Sequence, residues 1–247
     1  MGGYVNVIKA DGTVEAFSEE KVISSLLRSG TSVEVALRIV EKIKPHLYQN
    51  IPTFEIFSTI AKILRKESEE MVDRYRLKAA IMELGPTGYP FEKFAAEVLK
   101  QNGFVTEINK IIMGNCVSHE IDIIAKKDRK TFMIECKFHN QPGGRTDIKE
   151  ALYTYARFLD VKDKGFDVPW LVTNTKVTQD VRAYGACVGM EITAWDYPER
   201  ESFRAMVDKS GLLPVTALSI SPGKKQNLIE NGIIFCKDMV SCNTLTK

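Results

Sequence analysis

The sequence predicts a chain of mixed α/β (α+β) class: a small hairpin with four helices, then a mixed-sheet α/β/α region, then a helical tail. Three observations predict it. An Asp11-Gly12 turn signal precedes four amphipathic stretches, a second hairpin pattern occupies residues 118–138, and a strand–helix–strand run covers residues 169–195. The 247 residues, 44% hydrophobic and 27% charged, are enough for two domains. Net charge is only +2, so any nucleic-acid surface must be a local patch. The five cysteines (Cys116, Cys136, Cys187, Cys236, Cys242) have no zinc or C-x-x-C spacing and read as buried small residues in a reducing cytosol. With no signal peptide and no bilayer-length apolar run, a cytoplasmic protein without membrane contact is expected.

In residues 1–85, Tyr4 to Phe17 reads as a hairpin with a two-residue turn at Asp11-Gly12. That centre pairs Val7 with Ala16 and Lys9 with Val14. Ser18 is placed to cap a helix carrying Val22, Ile23, Leu26 and Leu27. The next stripe is Val33, Ala36, Leu37, Val40 and Ile43, ending near Pro45. Thr53 is placed to cap a third helix with Ile56, Phe57, Ile60, Ile63 and Leu64. Ser68 is placed to cap a fourth, with Met71, Val72, Tyr75, Ala79 and Met82, and Gly85-Pro86 then reads as an interdomain turn.

Residues 86–197 open with a helix from Pro90, with Phe91, Phe94, Ala95 and Val98 inward and Asn102-Gly103 as its stop. Glu92 lies beside that stripe. It either points toward a site or serves the helix dipole. Phe104 to Met113 is the first strand. In residues 118–138, a turn centred on Asp128-Arg129 pairs positions that sum to 257, so Asp122 faces Glu135 and Glu120 faces Lys137. One face then carries Glu120, Asp122, Glu135 and Lys137, and the other Ile121, Ile123, Phe132, Ile134, Cys136 and Phe138. Two carboxylates about 5 Å apart repel by roughly 3 kcal/mol at an effective dielectric of 20. Lys137 or a divalent cation has to offset that, and hard cations such as Mg²⁺ take carboxylate oxygens while retaining water.

The glycine-rich loop after Lys137 offers His139 and Arg145 as candidate phosphate contacts. Thr146 is placed to cap a helix to Asp160, with Ile148, Ala151, Leu152, Tyr155 and Leu159 inward and Lys149 and Tyr153 at i, i+4. Pro169 to Thr173 reads as a strand, Thr178 to Val188 as a helix, and Met190 to Trp195 as a further strand of a sheet of about five. His46 and His119 lack partners at metal spacing and read as structural or surface residues. In residues 198–247, Pro198 to Asp208 reads as a helix, followed by two short helical segments around Ser221-Pro222-Gly223-Lys224. Lys224 and Lys225 add phosphate attraction.

Two families are resembled. Asp122 followed by Glu135-Cys136-Lys137 resembles the signature of the PD-(D/E)XK nucleases, nearest to Mrr-like restriction endonucleases and Holliday-junction resolvases. Glu120-Ile121 stands where many members have proline. The resemblance implies a metal-dependent DNA endonuclease: Asp122, Glu135 and the Cys136 carbonyl hold Mg²⁺ or Mn²⁺, Lys137 acts on the attacking water, and Glu92 joins the catalytic set. Val7-Ile8-Lys9-Ala10-Asp11-Gly12 with four following helices resembles the ATP-cone. This implies ATP or dATP as effector, with Lys9 and Lys21 on phosphates and Val7, Glu15, Phe17, Val22 and Thr53 around base and ribose. Ala10 replaces the family's usual arginine. Residues 212–232 faintly resemble a helix-hairpin-helix, with Ser219 and Ser221 where its glycines fall. The expected partners are DNA and an adenine nucleotide, with a homodimer left open. A nucleotide-responsive DNA-binding regulator that does not cut, and a pure assembly module, stand as alternatives.

Overall fold

The structure is a computed structural model that describes residues 5–242, with side chains described to residue 239. Tyr4, the expected start of the first hairpin, and the Cys242 side chain lie outside the described residues. The chain forms two compact units, one running to Ala80 and including Ala217–Ser219, the other formed by Ile81–Thr216 and the residues from Ile220.

In the first unit, β1 (Asn6–Ile8) pairs antiparallel with β2 (Val14–Ala16). The register corrects the sequence expectation by one residue: Asn6 faces Ala16, Val7 faces Glu15 and Ile8 faces Val14. Gly12 alone of the turn residues has positive φ, at 79°, and Lys9 N–H reaches the Thr13 carbonyl at 2.9 Å. This is a three-residue loop with glycine in the left-handed position, so the strands slip one place from the two-residue alternative. Helices α1 (Glu19–Arg28) and α2 (Val33–Ile43) follow, capped by Ser18 and Ser32. Strand β3 (Ile51–Pro52) then pairs parallel with β1 and leads into α3 (Thr53–Leu64). Thr53 does not cap α3; it is the first helical residue, after Pro52. The expected fourth helix is two, α4 (Glu69–Tyr75, capped by Ser68) and α5 (Leu77–Met82). Val7, Leu26, Ile39, Ile43, Ile60, Leu64 and Val72 form the core, whereas Leu27, Val33 and Leu37 are exposed.

The second unit begins with α6 (Tyr89–Gln101), followed by β4 (Val105–Met113), β5 (Ser118–Lys127) and β6 (Lys130–Lys137). Then come β7 (Arg145–Thr146), α7 (Ile148–Val161), β8 (Val168–Thr173), β9 (Lys176–Val177), α8 (Gln179–Val188) and β10 (Glu191–Thr193). Among the described residues these build a five-stranded mixed sheet in the order β10-β8-β6-β5-β4 and a small β7–β9 pair. The chain is thus of mixed α/β class with a five-stranded mixed sheet, as the sequence predicted. Adjacent residues of a strand point to opposite faces, and Met133 and Ile134 are both fully buried, so both faces of the sheet are covered. Asp147, not Thr146, caps α7. The inward stripe of α7 is Ala151, Thr154, Phe158 and Val161, while Leu152 and Leu159 are exposed.

The tail departs furthest from expectation. Helix α9 (Phe203–Ser210) starts at Phe203 behind a Ser202 cap, five residues later than Pro198. Pro222-Gly223-Lys224 is the first turn of α10 (Pro222–Glu230), not a hairpin between helices, and α11 is Cys236–Cys242. Phe203 and Phe235 pack on Phe91 and Phe94 of α6, so the tail shares that helix's core. The cysteines are less buried than expected: Cys116 and Cys187 are exposed.

Candidate functional site

The β5–β6 hairpin positions the acidic cluster. Asp128 and Arg129 both have positive φ, at 49° and 64°, which is the two-residue turn whose twist matches the flanking strands. The pairs Lys127↔Lys130 to Ile123↔Ile134 follow, all summing to 257 as the sequence implied. There the ladder stops. At the next position the Asp122 carboxylate accepts the Cys136 N–H at 2.8 Å, a side chain standing in for a backbone rung. On the other flank of β5, pairing with β4 lapses at one place: Ile108↔Ile123 and Lys110↔Ile121 are joined, but Asn109 and Asp122 between them are not. Asp122 therefore sits where the sheet is open on both sides.

Helix α7 closes this opening. Arg157 is 8% exposed and donates one guanidinium N–H to the Glu135 carboxylate and another to the Glu120 carbonyl, clipping β6 to β5 beyond the end of their ladder. About two turns earlier on the helix, Glu150 holds Lys137 Nζ at 3.0 Å. The expected Glu120–Lys137 opposition is thus absent, because the strands have already parted and Lys137 turns to α7. From α6, Glu92 accepts the Asn109 side-chain amide at 2.9 Å, and that amide also lies 3.4 Å from Glu120.

Electrostatics mark the same place. Burial pushes the Asp122 carboxyl up, to about 6; the Cys136 N–H opposes this, and the negative charges of Glu92 and Glu120 add to it. Burial pushes Glu135 up to about 7, aided by Asp122 and Glu92 and resisted by Arg157 and Lys137. Asp122 and Glu135 thus act on one another, with the Glu92 charge beside them, as a pair that resists full ionisation. Among the described residues, no three His, Cys, Asp or Glu side chains are arranged as a ready metal cage. The donors are nevertheless of the right kind for a hard cation that keeps much of its water: two carboxylates that burial holds above their usual range, and a buried Asn109 Oδ1 with no hydrogen-bond partner among the described residues.

The other sequence-selected residues divide. His139 is pinned rather than offered: its N–H and carbonyl bond the Asn174 side chain at 2.9 and 2.7 Å, and its ring bonds Thr146 at 3.0 Å. Burial and then Lys137 push its pKa down. Arg145, Lys149 and Tyr153 are exposed, and the Tyr153 ring lies 5.2 Å from the Arg157 guanidinium. Lys224 is exposed, but Lys225 is buried and paired with Glu83 at 2.8 Å, which corrects its reading as a phosphate contact. His119 bonds Asp160 at 2.8 Å, and Asp160 also accepts the Cys116 and Val117 amides, a structural clasp on the β4–β5 turn.

Sequence reasoning missed Glu150, Arg157 and Asn109. The first two lie at i and i+7 with Thr154 between them, a polar stripe beside the apolar one on α7, and that stripe was legible. Asn109 stands alone as a poor strand former inside β4.

In the first unit, a cavity of about 240 Å³ is lined by Val7, Glu15, Phe17, Lys21, Val22, Thr53 and the Phe57–Tyr75 stacked pair, among others. Lys9 lies beside it through Glu15, which binds Lys9 at 2.6 Å and Lys21 at 3.0 Å, and these lysines hold the Glu15 carboxyl below its usual range.

Comparison with known proteins gives the following. A family model described as restriction endonuclease matches residues 85–200, and one described as ATP cone domain matches residues 5–81. An uncharacterized protein of Archaeoglobus fulgidus is 47% identical over 146 residues, covering 59% of this chain and 83% of that protein. A crystal structure of a protein of unknown function matches with a TM-score of 0.57 at 45% identity, covering 63% of this chain and 84% of that one.

Proposed function

Because this chain belongs to the restriction endonuclease family, with an ATP cone domain ahead of that region, we propose that it is a metal-dependent DNA endonuclease whose first unit binds ATP or dATP. One observation carries the reading: Asp122 and Glu135 meet where the sheet opens, and both are held above the ordinary carboxylate range. Asp122, Glu135 and the Cys136 carbonyl would hold Mg²⁺ or Mn²⁺. The bound ion would supply Lewis-acid polarisation of a phosphate and a water of lowered pKa. Lys137 orients that water and offsets charge developing on the phosphate, while Glu150 fixes the ammonium and Arg157 fixes the Glu135 carboxylate. Glu92 adds a third negative charge facing the pair. The cleaved bond would be the phosphodiester P–O bond to the 3′ oxygen: water loses a proton and supplies the new oxygen of a 5′-phosphate, and the departing 3′ oxygen takes up a proton to become a 3′-hydroxyl.

Exposed Arg145, Lys149, Tyr153 and Lys224 are the DNA contacts this reading retains. In the first unit, the pocket walls surround base and ribose, and a polyphosphate displaces Glu15 from Lys9 and Lys21.

The test is nicking of supercoiled plasmid in Mg²⁺ or Mn²⁺ by the parent, Asp122→Asn and Lys137→Ala. Nicking by the parent and at least about a hundredfold loss in each variant is expected. Arg157 already neutralises Glu135 without a metal, which favours a second reading, a DNA-binding regulator that does not cut. DNA retention without nicking under any divalent ion would select it.

A further inference from the structure

We infer that Asn109 is a positioning residue of the proposed nuclease site: it holds Glu92 toward the Asp122–Glu135 pair and offers its own Oδ1 to a water of the bound cation. This rests on the hydrolytic reading above.

The backbone gives the first argument. Asn109 has φ +50° inside the nine-residue strand β4, with ordinary pairs on each side of it, so the distortion is confined to one residue. That residue stands across from Asp122. A left-handed residue in a strand is unfavourable and persists only where its surroundings over-determine it; asparagine is among the few side chains that tolerate it. Such outliers gather at functional sites, and this one lies beside the acids.

The side chain gives the second argument. Its Nδ2 donates to Glu92 at 2.9 Å and lies 3.4 Å from Glu120. Ionised carboxylates only accept, so the amide's orientation is fixed by its partners. Its Oδ1 is then buried without a hydrogen-bond donor among the described residues. A buried acceptor beside an acidic cluster calls for a donor, and cation-held water is a donor of the right chemistry. Left-handed geometry turns this side chain inward from a strand that otherwise leaves Ile111 and Met113 exposed.

The test separates backbone from amide. Asn109→Gly accepts the same φ without strain and deletes only the amide, so its metal-free unfolding temperature should stay close to the parent's. Its Mn²⁺ affinity, by calorimetry, and its plasmid-nicking rate should each fall by about tenfold or more. In a Glu92→Gln background the same change should cost less than in the parent, since the amide acts partly through Glu92 and partly through its own Oδ1. Asn109→Asp keeps the backbone preference but sets a carboxylate against Glu92, and it should also slow nicking; it serves if the glycine variant does not fold. Parental Mn²⁺ affinity and rate in Asn109→Gly, or in Asn109→Asp if it is needed, would overturn the inference alone. A parent that takes up no Mn²⁺ and nicks no DNA would overturn the hydrolytic reading and this inference with it.

Discussion

Asp122 and Glu135 tie stability to pH in a direction opposite to that of most carboxylates. Unfolded, these side chains titrate near 3.9 and 4.3. Folded, they are raised to about 6 and about 7. Their contribution to stability is therefore complete below about pH 4 and is lost as pH climbs through about 6 to 7. With chelator present, this contribution should make the protein less stable at pH 8 than at pH 5.5, and Mg²⁺ should recover more at pH 8. Thermal unfolding at both pH values measures it, and an EDTA-treated protein with equal stability at both would contradict it. At this scale the sequence was legible in part. Asp122, Glu135 and Lys137 could be read because strand register follows from a turn. Arg157 was legible only as a member of the polar stripe on α7 and not as a clip between strands, and Asn109 not as a left-handed residue, because both answer to partners many residues away.

At the level of elements, the β5–β6 register was legible from Lys127↔Lys130 to Ile123↔Ile134 because its turn is symmetric about Asp128-Arg129, whereas the expected Asp122–Glu135 and Glu120–Lys137 pairs fall beyond the end of the ladder. The β1–β2 hairpin was not, because Asp-Gly serves both two- and three-residue loops and only Gly12 adopts positive φ. The β5–β6 turn places two ordinary residues where Asn-Gly is preferred. Replacing Asp128-Arg129 with Asn-Gly should therefore stabilise the second unit by about 1 kcal/mol, seen as a higher urea midpoint at an unchanged slope. Helix α7 offers the opposite test. Arg157→Met removes the clip between β5 and β6 and should cost about 2 kcal/mol at pH 8. The loss should be smaller at pH 5, where Glu135 already carries its proton. Equal losses at both would mean that the guanidinium serves Glu120 alone. The stripe of α7 was misread for a related reason: Leu152 and Leu159 looked like core, yet Thr154 and Arg157 take the inward positions.

For the whole molecule, two units with separate cores predict unfolding that is not two-state. ATP should raise only the transition of the first unit and Mg²⁺ only that of the second, by mass action. Calorimetric scans check this, and Lys9→Ala or Lys21→Ala should shrink the ATP shift by releasing one arm of the Glu15 clasp. A single transition moved equally by both ligands would contradict it. The mixed-sheet architecture was legible because strands and helices alternate at their own periods; the tail was not, because its short helices owe their limits to Phe203 and Phe235 seeking α6.

The protons kept on the acid pair have one more consequence. A cation that seats itself there must evict them, on the order of one per ion near neutrality. Uptake of magnesium would then acidify an unbuffered solution, and the heat evolved would change with the ionisation enthalpy of whichever buffer receives the proton.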